Sequence, residues 1–152
     1  DIPFFINNNF AYATGRGEKL EEIKINDEIE LLIVKPKESV STKEVFKMVV
    51  VEGGKSNIKK VVEKFENGCT KEAVMMIEND LEKYTNKLLC GKIELIKSKL
   101  KELGSFKSIM SGSGSSVIAF FDSEKDIRKA EEYFKEKKYF ACRTKIMGDL
   151  FG

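Results

Sequence analysis

The order of apolar patterns along these 152 residues predicts an α+β fold of the split βαβ, ferredoxin-like kind: strand, helices, strand, strand, helix, strand. Extra helices fall in the first crossover, and a β-hairpin precedes the whole. Two observations carry this expectation. The runs ELLIVK (residues 30–35) and VIAFF (117–121) are continuous and apolar, the pattern of strands buried on both faces, whereas residues 139–146 alternate. In a ferredoxin-like sheet the first and third strands lie centrally and the second and fourth at the edges, so pattern and topology agree.

Each element has its own local reason. Residues 10–14 and 18–25 read as extended segments joined by Gly15-Arg16-Gly17, a hairpin. ELLIVK is closed by Pro36. Ser41 and Glu44 have the S-x-x-E spacing of a capping box, which predicts a short helix ending before Gly53-Gly54 and gives Ser41 a structural role. Ile58, Val61, Val62 and Phe65 place a helix over 56–66, with Gly68 at its end. Ala73, Val74, Ile77, Leu81 and Tyr84 form a stripe for one helix over 70–84, and Ile93, Ile96, Leu100 and Leu103 another over 92–103 before Gly104. A strand at 106–110, a Ser/Gly loop and VIAFF follow. A helix over 123–137 then presents Ile127, Ala130 and Phe134, and the last strand alternates through Phe140, Cys142, Thr144 and Ile146.

Composition narrows the chemistry. Twenty-seven Lys and Arg against 25 Asp and Glu leave a net charge of +2, and the charges mostly alternate, so no strong field for nucleic acid is expected. The three cysteines, Cys69, Cys90 and Cys142, are far apart, without a C-x-x-C pair. That argues against a disulfide framework or a zinc site and fits a reducing, cytoplasmic compartment. The longest apolar-leaning stretch, 109–121, is broken by Ser and Gly and is too short to span a bilayer, so no membrane partner is expected. Histidine is absent, which excludes Ser-His and Cys-His nucleophilic catalysis and leaves Asp, Glu, Lys, Tyr, Cys or water to move any proton. The chain opens at Asp1, without a methionine, ahead of an apolar run at 2–6, as a piece of a longer polypeptide would.

Three places are candidate sites. In Ser111-Gly112-Ser113-Gly114-Ser115-Ser116, small residues let backbone N–H groups approach an anion, although spacing alone reads equally as a plain hairpin turn. Arg16, one of only three arginines, sits between two glycines, where it is either an exposed turn residue or a fork reaching a phosphate. Asp1 is either a strand-entry carboxylate or simply a terminus.

Several segments, taken in order, resemble one family. D-I-P-F-F at residues 1–5, T-G-R-G-E-K-L at 14–20, V-K-P at 34–36, V-S-T at 40–42 leading to Val45-Phe46, N-D-L-E at 79–82 and M-S-G-S-G-S-S-V at 110–117 look like the 4-diphosphocytidyl-2-C-methyl-D-erythritol kinases, within the GHMP small-molecule kinases. The resemblance covers essentially the whole chain and corresponds to the family's C-terminal half.

The resemblance implies a set of roles. Asp1 falls on the catalytic aspartate that contacts the substrate hydroxyl during γ-phosphoryl transfer from ATP. Arg16 falls at the turn beside the cytidine diphosphate, Thr42 where it can bond the methylerythritol end, and Phe46 at an aromatic wall for the cytosine ring. Gly112, Ser113 and Gly114 match the third GHMP motif, which completes the phosphate environment. ATP and Mg2+ are implied, bound mainly by an N-terminal half whose G-L-G-G-G-S-S loop and lysine have no counterpart here; no metal ligand is assigned to this chain. Asn8 and Asn9 depart from the family's glycine pair, at a turn asparagine tolerates.

The implied division is 1–25 as part of the N-terminal lobe and 26–152 as the substrate-binding domain. The small-molecule partner would be 4-diphosphocytidyl-2-C-methyl-D-erythritol, the isolated chain would be inactive, and the apolar edge of residues 2–25 would favour self-association. Two other readings remain: a ferredoxin-like ligand-sensing module with the Ser/Gly loop as a turn, and a GHMP kinase acting on another small alcohol.

Overall fold

Residues 10–15, 17–23, 25, 28–50 and 57–146 are described by the structure, a computed structural model. Asp1, the strand-like run 2–6, Asn8, Asn9, Arg16 and Gly53-Gly54 lie outside them. The described residues fall into two compact units, one drawn from 1–28, 55–77 and the end of the chain, the other from 29–54 and 78–145.

In the first unit, β1 (Ala11–Thr14) and β2 (Lys19–Glu22) form the expected antiparallel hairpin, with Tyr12 opposite Glu21 and Ala13 opposite Leu20. The Tyr12 hydroxyl donates to the Glu21 carboxylate, which holds the phenol above its ordinary pKa. The first two helices of the chain are α1 (Thr42–Met48), in the second unit, and α2 (Ile58–Glu66), in the first. After α2 and Gly68 comes α3 (Thr70–Met76). Val61, Val62, Thr70, Ala73 and Val74 are buried, and Asn57 Nδ2 donates to Met76 O at 3.2 Å, tying the start of α2 to the end of α3.

The second unit holds β3 (Ile29–Lys35), β4 (Lys107–Met110), β5 (Val117–Phe120) and β6 (Phe140–Ile146) in one sheet of order β4-β5-β3-β6. This is the ferredoxin-like order, with the two continuous apolar runs central. β5 runs antiparallel to both β3 and β4, with Leu32 opposite Ala119, and Val117 opposite both Val34 and Met110. Side chains alternate across a strand, so Leu32, Val34, Met110, Val117 and Ala119 share one face. That face packs with α5 (Lys92–Glu102) and α6 (Glu124–Glu136) through Ile93, Ile96, Leu100, Ile127, Ala130 and Phe134. Burying each large apolar side chain contributes about 1.5–3 kcal/mol. β6 joins this core through Ala141, while Phe140, Cys142 and Thr144 are exposed, so the alternation is present with its apolar positions outward.

Two sequence-based expectations need correction. The stripe over 70–84 is not one helix: α3 stops at Met76, Ile77 is extended (ψ 133°), and α4 (Glu82–Leu88) starts afresh. The Asn79 side chain causes the restart, since its Oδ1 accepts from Leu81 N–H at 2.9 Å, a local turn that competes with helix. Nor does the Ser41 side chain cap α1. Only its carbonyl engages the helix, accepting from Glu44 and Val45 N–H at 2.9 and 3.1 Å. The first turn is exposed, so water can satisfy the donors a cap would take.

Four helices end in the same Schellman arrangement, in which a left-handed residue just past the helix lets two N–H groups bond back. Gly68 and Gly104 fill that position after α2 and α5, with φ of 70° and 100°. After α4 and α6 it is filled by Cys90 and Lys138, at φ 50° and 62°. A side chain there is strained where glycine is not. Lys138→Gly is therefore expected to stabilise the fold by roughly 0.5–1 kcal/mol, read as a higher urea midpoint at unchanged slope. An unchanged or lower midpoint would show that the strain is relieved elsewhere.

The three thiols are free. No helix among the described residues is long and apolar enough to cross a membrane.

Candidate functional site

The Ser/Gly loop joins two antiparallel strands, so a turn was required there in any case; its surroundings make it more than that. β4 is an edge strand, and Met110 at its end has both backbone groups taken by side chains from the 79–82 turn. Glu82 Oε2 accepts Met110 N–H at 3.0 Å and Asn79 Nδ2 donates to Met110 O at 2.6 Å. The same Asn79 amide donates to Gly112 O at 2.8 Å, and Thr85 Oγ1, on a fully buried residue of α4, donates to Ser113 O at 2.9 Å. Farther along, Ser115 Oγ, on a buried residue, donates to Glu38 O at 2.6 Å. Inside the loop, Ser111 N–H bonds Ser116 O at 2.8 Å and Gly114 N–H bonds Ser111 O at 2.9 Å.

The two glycines differ in surroundings. Gly112 (φ 54°) is exposed, and a Cβ there would meet nothing within 4 Å. Gly114 (φ 88°) is wedged: a Cβ would come within 2.6 Å of Met110 Sδ and 2.9 Å of Thr85 Cγ2. One therefore leaves room for an approaching group, and the other lets the loop lie against α4.

Helix α1 meets this loop. Thr42 Oγ1 and Ser113 Oγ are 2.8 Å apart in a hydrogen bond, which ties the first residue of the helix to the loop. Val45 is fully buried and anchors α1, leaving Phe46 with 57% of its surface exposed. Beyond α1, the Tyr84 hydroxyl accepts from Val50 N–H at 3.0 Å and donates to Val50 O at 3.2 Å, clamping the segment that follows Phe46. Glu38, whose carbonyl receives Ser115, pairs through its carboxylate with Lys92; that hydrogen bond lowers the Glu38 pKa and raises the Lys92 pKa.

Of the residues singled out from sequence, Thr42, Gly112, Ser113 and Gly114 converge, with Phe46 one turn along the same helix. Asp1 and Arg16 lie outside the described residues. Asn79, Glu82 and Thr85 were missed as loop supports, although Asn79 and Glu82 stood in a family-like string. An Asn-Asp pair inside a helical stripe was the available signal, since such residues bond their own backbone. Gly112 and Ser113 N–H have no acceptor among the described residues. With whichever of the Ser113 and Thr42 hydroxyls does not donate in their mutual bond, they form a set of neutral donors suited to binding and orienting an anion such as a phosphate. Among the described residues no group of three or more His, Cys, Asp or Glu could hold a metal ion.

Comparison with known proteins identifies the family. The family profile for the GHMP kinases C terminal matches residues 55–139. The 4-diphosphocytidyl-2-C-methyl-D-erythritol kinase of Geotalea daltonii is 35% identical over 151 residues, covering 97% of this chain and 51% of its own length. That of Clostridium novyi is 36% identical over 139 residues, covering 90% and 49%. The chain thus spans about half the length of the curated relatives it matches. Among solved structures, a 4-(cytidine 5'-diphospho)-2C-methyl-D-erythritol kinase superposes with a TM-score of 0.77 at 24% identity, covering 98% of this chain and 54% of that one. A homoserine kinase from Cytophaga hutchinsonii superposes at 0.69 and 16%, covering 92% and 48%. At such identities the likeness shows the fold. Since the profile match takes in more than half of its residues, the chain belongs to the GHMP kinase family and carries that family's C-terminal region.

Proposed function

We propose that this chain is the C-terminal part of a kinase that moves the γ-phosphoryl group of ATP to the 2-hydroxyl of 4-diphosphocytidyl-2-C-methyl-D-erythritol, in non-mevalonate isoprenoid precursor synthesis. The observation that carries this reading is the 35% identity to a kinase of that name over 97% of the chain. Asp1 would contact the reacting hydroxyl and accept its proton or stabilise the developing charge, the role open to a carboxylate in a chain without histidine. Arg16 would flank the diphosphate, Thr42 would bond the methylerythritol end, and the exposed Phe46 ring would stack on the cytosine. ATP would supply the phosphoryl group, with Gly112, Ser113 and Gly114 completing the phosphate surroundings. ATP and Mg2+ are assigned mainly to an upstream half, to which residues 1–25 also belong, so the 152 residues alone should be inactive.

The test is ADP release from ATP with that substrate. The assay uses the 152-residue chain, the protein carrying the glycine-rich half upstream, and its Asp1→Asn variant. Turnover only in the longer protein, falling by about a hundredfold or more in the variant, is expected. Turnover by the 152 residues alone would refute their inactivity. A folded, ATP-binding longer protein that leaves this substrate untouched would redirect the reading to another small alcohol.

A further inference from the structure

We infer that Asn79 and Thr85 are positioning residues for the Ser/Gly loop, aiming the Gly112 and Ser113 N–H groups at a phosphate oxygen of the nucleotide; this rests on the kinase reading above. The argument is one of peptide geometry. In a planar trans peptide the C=O and the following N–H point in opposite directions, so fixing one aims the other. Gly112 C=O is held by Asn79 Nδ2 at 2.8 Å, which turns Ser113 N–H away from Asn79. Ser113 C=O is held by Thr85 Oγ1 at 2.9 Å, which turns Gly114 N–H away from Thr85, and that N–H closes on Ser111 O at 2.9 Å. Ser111 C=O, so engaged, in turn orients the Gly112 N–H.

Three successive peptides are thus set by two side chains and one internal bond. The two N–H groups left over, on Gly112 and Ser113, are those without an acceptor among the described residues. Thr85 is fully buried and Asn79 also bonds Leu81 N–H, so neither is free to turn away. Donors fixed in advance need no reorganisation when charge arrives, which is why their placement bears on rate.

The test uses the protein carrying the upstream half, in three variants. Asn79→Asp keeps the acceptor for Leu81 N–H but loses both donated bonds. Thr85→Val keeps the shape and loses the hydroxyl, and Thr85→Ser keeps the hydroxyl. Hydrogen exchange at the Ser111 and Gly114 amides reports the loop directly. The expected result for Asn79→Asp and Thr85→Val is exchange about tenfold faster and kcat lower by about tenfold or more. KM for 4-diphosphocytidyl-2-C-methyl-D-erythritol should stay within about twofold, and Thr85→Ser should behave as the unaltered protein.

Unchanged exchange overturns the positioning role whatever the reaction is. Faster exchange with undiminished kcat overturns its functional meaning, and Thr85→Ser failing as badly as Thr85→Val reduces Thr85 to packing. An unaltered protein that does not phosphorylate this substrate sinks the kinase reading instead, and the exchange data then decide the loop's positioning by themselves.

Discussion

Replacing Gly114 by alanine is expected to lower the stability of the second unit by about 3 kcal/mol, from two additive causes. A left-handed backbone costs a residue with a Cβ about 1–2 kcal/mol, and an added carbon in a filled space costs about 1–3 kcal/mol more. The space is filled, because the Cβ would lie 2.6 Å from Met110 Sδ and 2.9 Å from Thr85 Cγ2. The flexible Met110 thioether can give way. Thr85 cannot move as easily, since its hydroxyl bonds Ser113 O and its residue is fully buried. Gly112→Ala is the control: it carries the backbone strain without the clash and should cost about 1 kcal/mol. Urea unfolding of the two variants reads the difference, and equal costs would show that the loop repacks around the added carbon.

Truncating Phe134 to alanine is expected to cost about 4 kcal/mol, within the range for a large buried aromatic. Phe134 is 2% exposed on α6 and lies in the core shared with Leu32, Ile96 and Leu100. Its ring stands edge-on to Tyr133 and Tyr139, at centroid separations of 5.3 and 5.4 Å, so the deletion leaves two aromatic edges without a partner as well as a cavity. Against a total stability of about 5–15 kcal/mol, such a loss lowers the unfolding temperature by about 10 °C or more. Phe134→Leu should recover most of it. A fall of only a few degrees in Phe134→Ala would mean that the core collapses onto the gap.

Periodic elements were legible because their signal is local. Ile93, Ile96, Leu100 and Leu103 repeat at helical spacing and bury where they must, and the continuous runs ELLIVK and VIAFF became the central strands, with Leu31 and Phe120 buried on the face opposite Leu32, Val34, Val117 and Ala119 while Ile33 and Ile118 are half-buried there. The break at Ile77–Leu81 was not legible from periodicity, since the apolar stripe continues through it; a single amide, Asn79, interrupts the helix by accepting from Leu81 N–H while donating to the Met110 and Gly112 carbonyls. Ser41 failed in the opposite way. Its spacing signalled a cap, yet an exposed first turn gives that bond little to add. Cys90 and Lys138 escaped notice as helix ends because the left-handed position is usually signalled by glycine.

Sequence by itself determined the fold class, the strand order, most helix faces and the string of motifs that places the chain among GHMP kinases; these follow from patterns of neighbouring residues and from ordered identity. Only the tertiary structure decided what holds the Ser/Gly loop, why Gly114 and not Gly112 has no room for a side chain, and that Thr42 meets Ser113. The reason is physical: hydrogen bonds between residues 28 to 77 positions apart depend on how the elements pack, and no local period encodes them.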